Sequence, residues 1–363
     1  IMKKITSMIL ALVFAVSVIG SASAKTLKIQ LTFPKTSYDG QIVKMWTDRV
    51  TKLTRGELKF ELLSKGEVVG MKETLEAVDK GLVDGGAAWT HYWSNYHPAA
   101  MLFGSPVAGG GIGLSTKSWL AWYFDNGGKE LYDQLWSEMG MNVKGFVMAS
   151  SGPEALGWFK EPIKNMDDFR KYRFRTPPGI PGQTYKDIGI ASVSLSGGDI
   201  LPALEKGTID AAEWCCPKPD SVFGFQKVLK NYYLQGLHQN VVNGDIYING
   251  DVYNSLTDHQ KYAMEVASEA MITRNITNRA VENGKALIDL TQNHGVKLWD
   301  TPADYFTEYM NAAQATLKKN AASNAFFKEV YEHMTAHAKI VVPFIAQMET
   351  SDASIGSAFA AQQ

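Results

Sequence analysis

Polar and apolar residues alternate along Lys25–Phe33 (KTLKIQLTF), the period-two pattern of a half-buried strand. After it, Ile42, Met45, Trp46 and Val50 fall at helical spacing, which predicts a helix over Tyr38–Thr54. A second strand is predicted over Leu58–Leu63. A helix around Glu73–Lys80 then stops at Gly81, and Leu82-Val83-Asp84 opens another strand. Strand–helix alternation of this kind predicts an α/β protein with largely parallel sheets.

This unit recurs. EAVDKGLVDGGAAW (Glu76–Trp89) resembles PALEKGTIDAAEW (Pro202–Trp214), with Ala77, Lys80, Gly81 and Asp84 matching Ala203, Lys206, Gly207 and Asp210. A glycine just past a helix takes a positive φ and ends it, and the β-branched residue that follows leads into a strand. In open α/β sheets, ligands sit at the carboxyl ends of strands. Those ends carry Trp89 in one copy and Glu213-Trp214 in the other. Two copies predict two similar lobes with a cleft between them, unless the echo is a chance repetition of a common helix–Gly–strand unit.

The later part of the chain is helical. Thr257-x-x-Gln260 is a capping box. An unbroken helix from Asp258 to His294 would be about 55 Å long, enough to run across both lobes. Further helices are predicted over Tyr305–Lys319 and Phe326–Ile345, with Pro343 kinking or ending the last. Residues 351–363, small and polar, are expected to fray.

The N-terminus reads differently. Met2-Lys3-Lys4 is basic, Ile5–Ile19 is mostly apolar, and Ala22-x-Ala24 places small residues before a cut at Lys25. This is the pattern of a secretory signal peptide over residues 1–24, which places the mature protein in the periplasm. The alternative, an uncleaved anchor, is disfavoured by the shortness of the apolar run.

Composition narrows the remaining classes. At 45% hydrophobic and 20% charged, the 363 residues form an ordinary globular chain with room for a large core. A net charge of −1 gives no electrostatic case for nucleic acid as a partner. Cys215 and Cys216 rule out a disulfide scaffold. A bond between neighbours closes a strained ring, so two free, buried thiols are expected.

Enzyme signatures are sparse. The sequence has no P-loop, HExxH, CxxC or GxSxG motif. Gly109–Gly113 lacks the spacing of a dinucleotide loop and reads as a flexible segment. His91 and His97, in WTHYWSNYH, have no further metal ligand at a suitable distance and are read as loop or packing residues.

The stronger signal is for a carboxylate. Tyr172-Arg173-Phe174-Arg175-Thr176-Pro177-Pro178 sets Arg175 at a strand end before a proline turn. A guanidinium fork matches a carboxylate bidentately. Glu213-Trp214 adds a carboxylate and a flat apolar wall. Glu154 and Gly157-Trp158-Phe159 add another carboxylate and two aromatics at a predicted lobe crossing. Lys218 is either a second anion contact or solvated.

FRTP, GIASVSLSGGDILPALEKGTIDAAEW and the leader together resemble the solute-binding proteins of tripartite ATP-independent periplasmic (TRAP) transporters, the DctP-like family. The resemblance is tightest over Phe169–Trp214 and looser over most of residues 25–300. It implies a two-lobed, hinged α/β periplasmic binding protein fold, type II-like, with a long helix spanning both lobes and a helical C-terminal region. Lobe I would comprise residues 25–149 and 238–257, and lobe II residues 150–237 and 296–325. Residues 258–295 would form the spanning helix and 326–363 the C-terminal helix and tail.

The same resemblance gives Arg175 the ligand carboxylate. The Glu-Trp branch it is similar to takes small 2-oxo or 2-hydroxy monocarboxylates, such as pyruvate or lactate, with a sodium or calcium ion. The family's metal positions fall here on Glu154, the Glu213-Trp214 pair and Gln239. Glutamate and glutamine are exchanged at Glu154 and Gln239, so the number of carboxylates is kept, or the site is rebuilt for another solute. Trp89, Tyr92, Trp158 and Trp214 would desolvate the ligand beside Glu154 and Arg175. The partners implied are the TRAP membrane subunits and, through the C-terminal helices, a second copy of the chain. Arg175→Ala is expected to abolish carboxylate binding with the fold intact. A polyol, a dicarboxylate or an aromatic acid is the alternative solute. A metal-assisted enzyme is the remote alternative, with Glu154 as its one geometrically available acid or base.

Overall fold

In a computed structural model that describes residues 24–362, the alternating run becomes strand β1 (Lys25–Leu31), with Leu27, Ile29 and Leu31 fully buried. The predicted signal peptide lies, apart from Ala24, outside the described residues. Helix α1 (Tyr38–Leu53) starts where the Ser37 hydroxyl accepts the Gly40 N–H at 3.1 Å, and it buries Ile42, Val43, Trp46 and Val50. There follow β2 (Leu58–Leu63), α2 (Thr74–Asp79), β3 (Gly85–Trp89), α3 (Ala100–Gly104), α4 (Thr116–Asp125), α5 (Gly128–Glu138) and β4 (Val143–Ser151).

The second unit runs β5 (Gly157–Phe159), α6 (Met166–Phe169), β6 (Arg173–Thr176), α7 (Ile180–Asp187) and β7 (Ala191–Ser194). It continues through α8 (Gly197–Glu205), β8 (Ala211–Ala212), α9 (Pro217–Phe223) and β9 (Asn231–Tyr233). The chain then forms β10 (Val242–Asn249), α10 (Gly250–Asn254), α11 (Asp258–Asn293), β11 (Lys297–Trp299), α12 (Ala303–Ser323) and α13 (Ala325–Ala360).

Two sheets result, in the orders β2-β1-β3-β10-β4 and β11-β9-β5-β8-β6-β7. Each is built on one plan. β1 lies parallel between β2 and β3, as β6 lies between β7 and β8, and an antiparallel strand (β10 or β5) pairs with the third. The chain crosses between the sheets in the segments joining β4 to β5 and β9 to β10, and again along α11.

The sequence echo is this shared plan. Gly81 (φ +69°) and Gly207 (φ +67°) both end their helices in the left-handed region. The same back-bond follows each: Leu82 N–H to the Ala77 carbonyl and Thr208 N–H to the Ala203 carbonyl, both 2.9 Å. Asp84 accepts the Lys28 N–H of β1 at 2.7 Å, and Asp210 the Arg173 N–H of β6 at 3.3 Å. The strand expected from Leu82 starts at Gly85 instead, because residues 81–84 form the helix exit.

Helix α11 is capped as predicted: Gln260 N–H donates to the Thr257 hydroxyl at 3.3 Å, and Thr257 N–H to Gln260 Oε1 at 3.1 Å. Met264, Ala267 and Met271 pack in the core with β1 and β10, while Leu290 packs with Trp158 and Tyr232 of the second sheet. The helix therefore spans both lobes.

Two expectations are corrected. Helix α13 continues through Pro343 to Ala360. Proline removes one backbone donor but leaves the ladder on either side intact, and the tail contains alanines, the best helix formers. Gly109–Gly113 is not a free loop. Gly109–Gly111 are buried, and the Gly111 carbonyl oxygen accepts a hydrogen bond from Gln314 Nε2 at 2.8 Å.

Candidate functional site

The strand ends of both sheets and the two crossing segments converge on a cavity of about 100 Å³. Trp89 at the end of β3, with His91 and Tyr92 just after it, forms one wall. Arg175, Trp214 and Cys215 form the facing lobe's contribution. Glu154 and Gln239 come from the crossing segments, where Glu154 N–H donates to the Gln239 carbonyl at 3.0 Å. A Cβ built on Gly179 of the second lobe would touch Met101 Sδ of the first at 3.5 Å, so the rims of the cleft meet.

Arg175 is almost fully buried, and most of its donors are committed. Nε and Nη2 donate to the Leu195 carbonyl at 3.1 and 3.0 Å. Nη1 donates to the Glu213 carbonyl at 2.8 Å and to Glu213 Oε1 at 2.5 Å. The guanidinium lies 5.0 Å from the centre of the Trp214 ring. One N–H on Nη2 remains for a ligand.

Glu213 sits behind this arginine, fully buried, with Oε2 against His238 Nε2 at 3.3 Å. His238 Nδ1 is 3.2 Å from the Tyr185 hydroxyl. Ligand atoms of Glu154, Glu213 and His238 lie within 4.8 Å of one another. His238 was not foreseen, although it stands beside the predicted Gln239. Gln239 Nε2 donates to the Ser105 hydroxyl at 3.1 Å, which leaves its carbonyl oxygen as the free end.

Glu154 is buried, and its Oε2 has no hydrogen-bond partner among the described residues. Burial, reinforced by the Glu213 charge, pushes its pKa well above the usual carboxylate range. A carboxylate in that position binds either a proton or a cation. His91 is pushed down to about 4 by burial, so it is neutral at the cleft wall. His97 lies away from the cavity lining: its Nδ1 accepts the Ala99 N–H and its Nε2 is 3.2 Å from Asn324 Nδ2, a packing role.

Trp158 is a correction. It is fully buried, stacked on Tyr232 at 4.0 Å, with its Nε1 donating to Asp220 Oδ2 at 2.9 Å, and it does not line the cavity. Alternation along the three-residue β5 turns it into the core behind the sheet. Lys218 does not line the cavity either.

The cysteines are a second correction. Cys215 and Cys216 form a disulfide rather than two free thiols. Asp220 Oδ1 accepts both of their backbone N–H groups, at 3.0 and 3.2 Å, which curls the chain so that both sulfurs face Arg279 Nη1. Asp220 itself is fully buried, and burial pushes its pKa up to about 7.

Arg279 of α11 was also missed. It lines the cavity, donates to Asp39 Oδ1 at 3.2 Å, and lies over the rings of Tyr38 and Trp89.

Residues 31–324 match the bacterial extracellular solute-binding protein family 7, DctP. The chain belongs to this family. It is a TRAP periplasmic solute receptor, not an enzyme. The receptor is 32% identical over 298 residues to a monocarboxylate 2-oxoacid-binding periplasmic protein of Nostoc sp., covering 80% of this chain and 78% of that one. Among solved structures it resembles a TRAP transporter solute-binding protein of Bordetella bronchiseptica (TM-score 0.85, 25% identity, 94% of this chain and 99% of that). That protein is a mixed-occupancy dimer with calcium and picolinate in one active site and the other apo. A TRAP solute-binding protein of Colwellia psychrerythraea with bound calcium and pyruvate shares the fold (TM-score 0.83, 22% identity, 92% and 99% covered).

The receptor's own residues fit such an ion. Glu154, Glu213 and His238 bring ligand atoms close enough together to share one ion, the orphaned Glu154 oxygen suits a hard cation such as calcium or sodium, and Gln239 lines the same cavity as Glu154.

Proposed function

We propose that this receptor captures a small 2-oxo or 2-hydroxy monocarboxylate, such as pyruvate or lactate, in the cleft. Arg175 offers its remaining N–H to the carboxylate. Glu154, Glu213, Trp214 and Gln239 would hold a calcium or sodium ion, which would supply positive charge against the buried carboxylates and the solute. Trp89, Tyr92 and Trp214 exclude water from the closed cleft. The observation that carries this reading is the buried, partnerless Glu154 oxygen beside an arginine–glutamate pair. The 2-oxoacid-binding Nostoc relative supports the solute class.

The biological setting follows the same reading. Residues 1–24 direct export, and the closed form docks on the TRAP membrane subunits. Helix α13 carries Ile340, Phe344, Met348, Ile355 and Phe359 exposed to solvent, and we infer that it pairs with a second copy of the chain. The dimeric Bordetella bronchiseptica relative supports this.

An aromatic acid is the second reading. Picolinate in that relative and the flat Trp89 and Trp214 walls favour it.

The test is a thermal-shift series with pyruvate, lactate, picolinate, succinate and a polyol, each with calcium, sodium or EDTA. A ligand that binds only the folded state raises the melting temperature. Stabilisation by pyruvate or lactate that disappears in EDTA is expected. Metal-independent stabilisation by succinate or the polyol alone would overturn the reading.

A further inference from the structure

Arg279 is a cleft residue for which the carboxylate-and-cation reading has no task. It stands where α11 passes from one lobe's core to the other's, and it is 7% exposed. Its guanidinium is held in place. Nη2 donates to Asp39 Oδ1, and the group lies 4.9 Å from the Tyr38 ring centre and 5.6 Å from that of Trp89. Nη1 has only the two disulfide sulfurs, at 3.4 and 3.6 Å, which are weak acceptors. Nε is buried and has no partner among the described residues. A charged donor stripped of water and left without an acceptor is costly, and a ligand that supplies the acceptor recovers that cost on binding.

We propose that Arg279 is a second solute-binding residue, donating to an oxygen at the end of the solute away from its carboxylate. The inference rests on the 2-oxo or 2-hydroxy acid reading above and narrows its solute class. The distal oxygen is neutral, a hydroxyl or carbonyl. Asp39 already offsets the Arg279 charge, and a second carboxylate would bury an anion with no cation left to balance it. The preferred solute is therefore a short 2-oxo or 2-hydroxy acid with a polar, uncharged tail.

Calorimetric titration of the calcium-loaded receptor with matched acids tests this. 3-Hydroxypyruvate and 2-oxobutyrate differ by a hydroxyl for a methyl, as do 4-hydroxy-2-oxobutyrate and 2-oxovalerate. A site built to hydrogen-bond a hydroxyl rejects the analogue lacking it. At least one hydroxylated acid is expected to bind about tenfold or more tightly than its partner, the loss that follows when a charged donor is left unpaired. In Arg279→Gln that ratio falls toward one, whatever common loss the broken Asp39 contact brings to both acids. Equal affinities within both pairs in the wild type overturn the inference, even if the variant does not fold. So does equal weakening of both members by Arg279→Gln, which would mark a latch between lobes, or a preference for 2-oxoglutarate, which would mark an anionic tail. Binding of none of these acids, pyruvate included, overturns the underlying solute reading instead, and this inference with it.

Discussion

Replacing Arg175 by alanine removes much more than a solute contact. The side chain makes four hydrogen bonds within lobe II, two to the Leu195 carbonyl and two to Glu213. Glu213 is fully buried, and without Arg175 its carboxylate keeps only His238. Removing one partner of a buried ion pair typically costs about 3–5 kcal/mol, because the other charge stays buried and uncompensated. For a chain of this length the unfolding entropy is about 0.7 kcal/mol/K, so the apo melting temperature should fall by about 4–7 °C. Differential scanning calorimetry in EDTA measures this free of any ligand effect. The double variant Arg175→Met/Glu213→Leu should recover part of the loss, since an apolar pair leaves no orphaned charge. The sequence alone led to an intact fold for Arg175→Ala, with no cost in stability foreseen. An apo melting temperature within about 1 °C of wild type would restore that view and refute the structural role argued from these contacts.

Two further predictions concern other parts of the molecule. Asp245 of β10 is fully buried, and burial pushes its pKa up to about 7, so the folded state holds this proton more tightly than the unfolded chain. Its contribution is complete below about pH 4 and is lost as pH rises through 7, about 4 kcal/mol in all. Asp245→Asn should flatten that part of the stability–pH profile in denaturant titrations, and parallel profiles would refute it. On α13, Phe344→Glu with Phe359→Glu places charge on the exposed apolar stripe. It should shift the chain from dimer to monomer in sedimentation velocity without changing solute affinity, and a wild type that is monomeric at all concentrations would refute the pairing.

The layout of the fold was legible because its signals are local. Gly81 and Gly207 end matching helices by the same backbone geometry, and Thr257 and Gln260 cap each other within one turn. The cleft was legible where it follows strand ends, at Trp89, Arg175 and Trp214. It was not legible where a side chain's direction decides. Trp158 lies four residues from Glu154, yet one lines the cleft and the other packs behind the sheet. Arg279 sits in a polar run, ITRNITNRAVENG, where nothing local distinguishes a buried arginine from a solvated one. The cysteine pair was misread because adjacency alone suggests strain. Asp220, four and five residues on, holds both backbone N–H groups and shapes the bend.

The residues at the base of the cleft belong to the hinge as much as to the site. Glu154 and Gln239 lie on the two strands of chain that cross between lobes and are bonded to each other there. Ala155 N–H donates to the Cys215 carbonyl at 2.7 Å, which ties one crossing to the Glu-Trp-Cys-Cys segment of lobe II. Arg279, from the third crossing, joins Asp39 of α1 to that same segment. A ligand shifts a conformational equilibrium only by its differential contacts with the two states. Two of the groups left unsatisfied in the rim-to-rim arrangement, Glu154 Oε2 and Arg279 Nε, are on the crossings themselves. On the proposed reading, the segments that carry them, which must bend for the cleft to open, are those the solute and ion would contact. On that reading, the energy of recognition is coupled to closure.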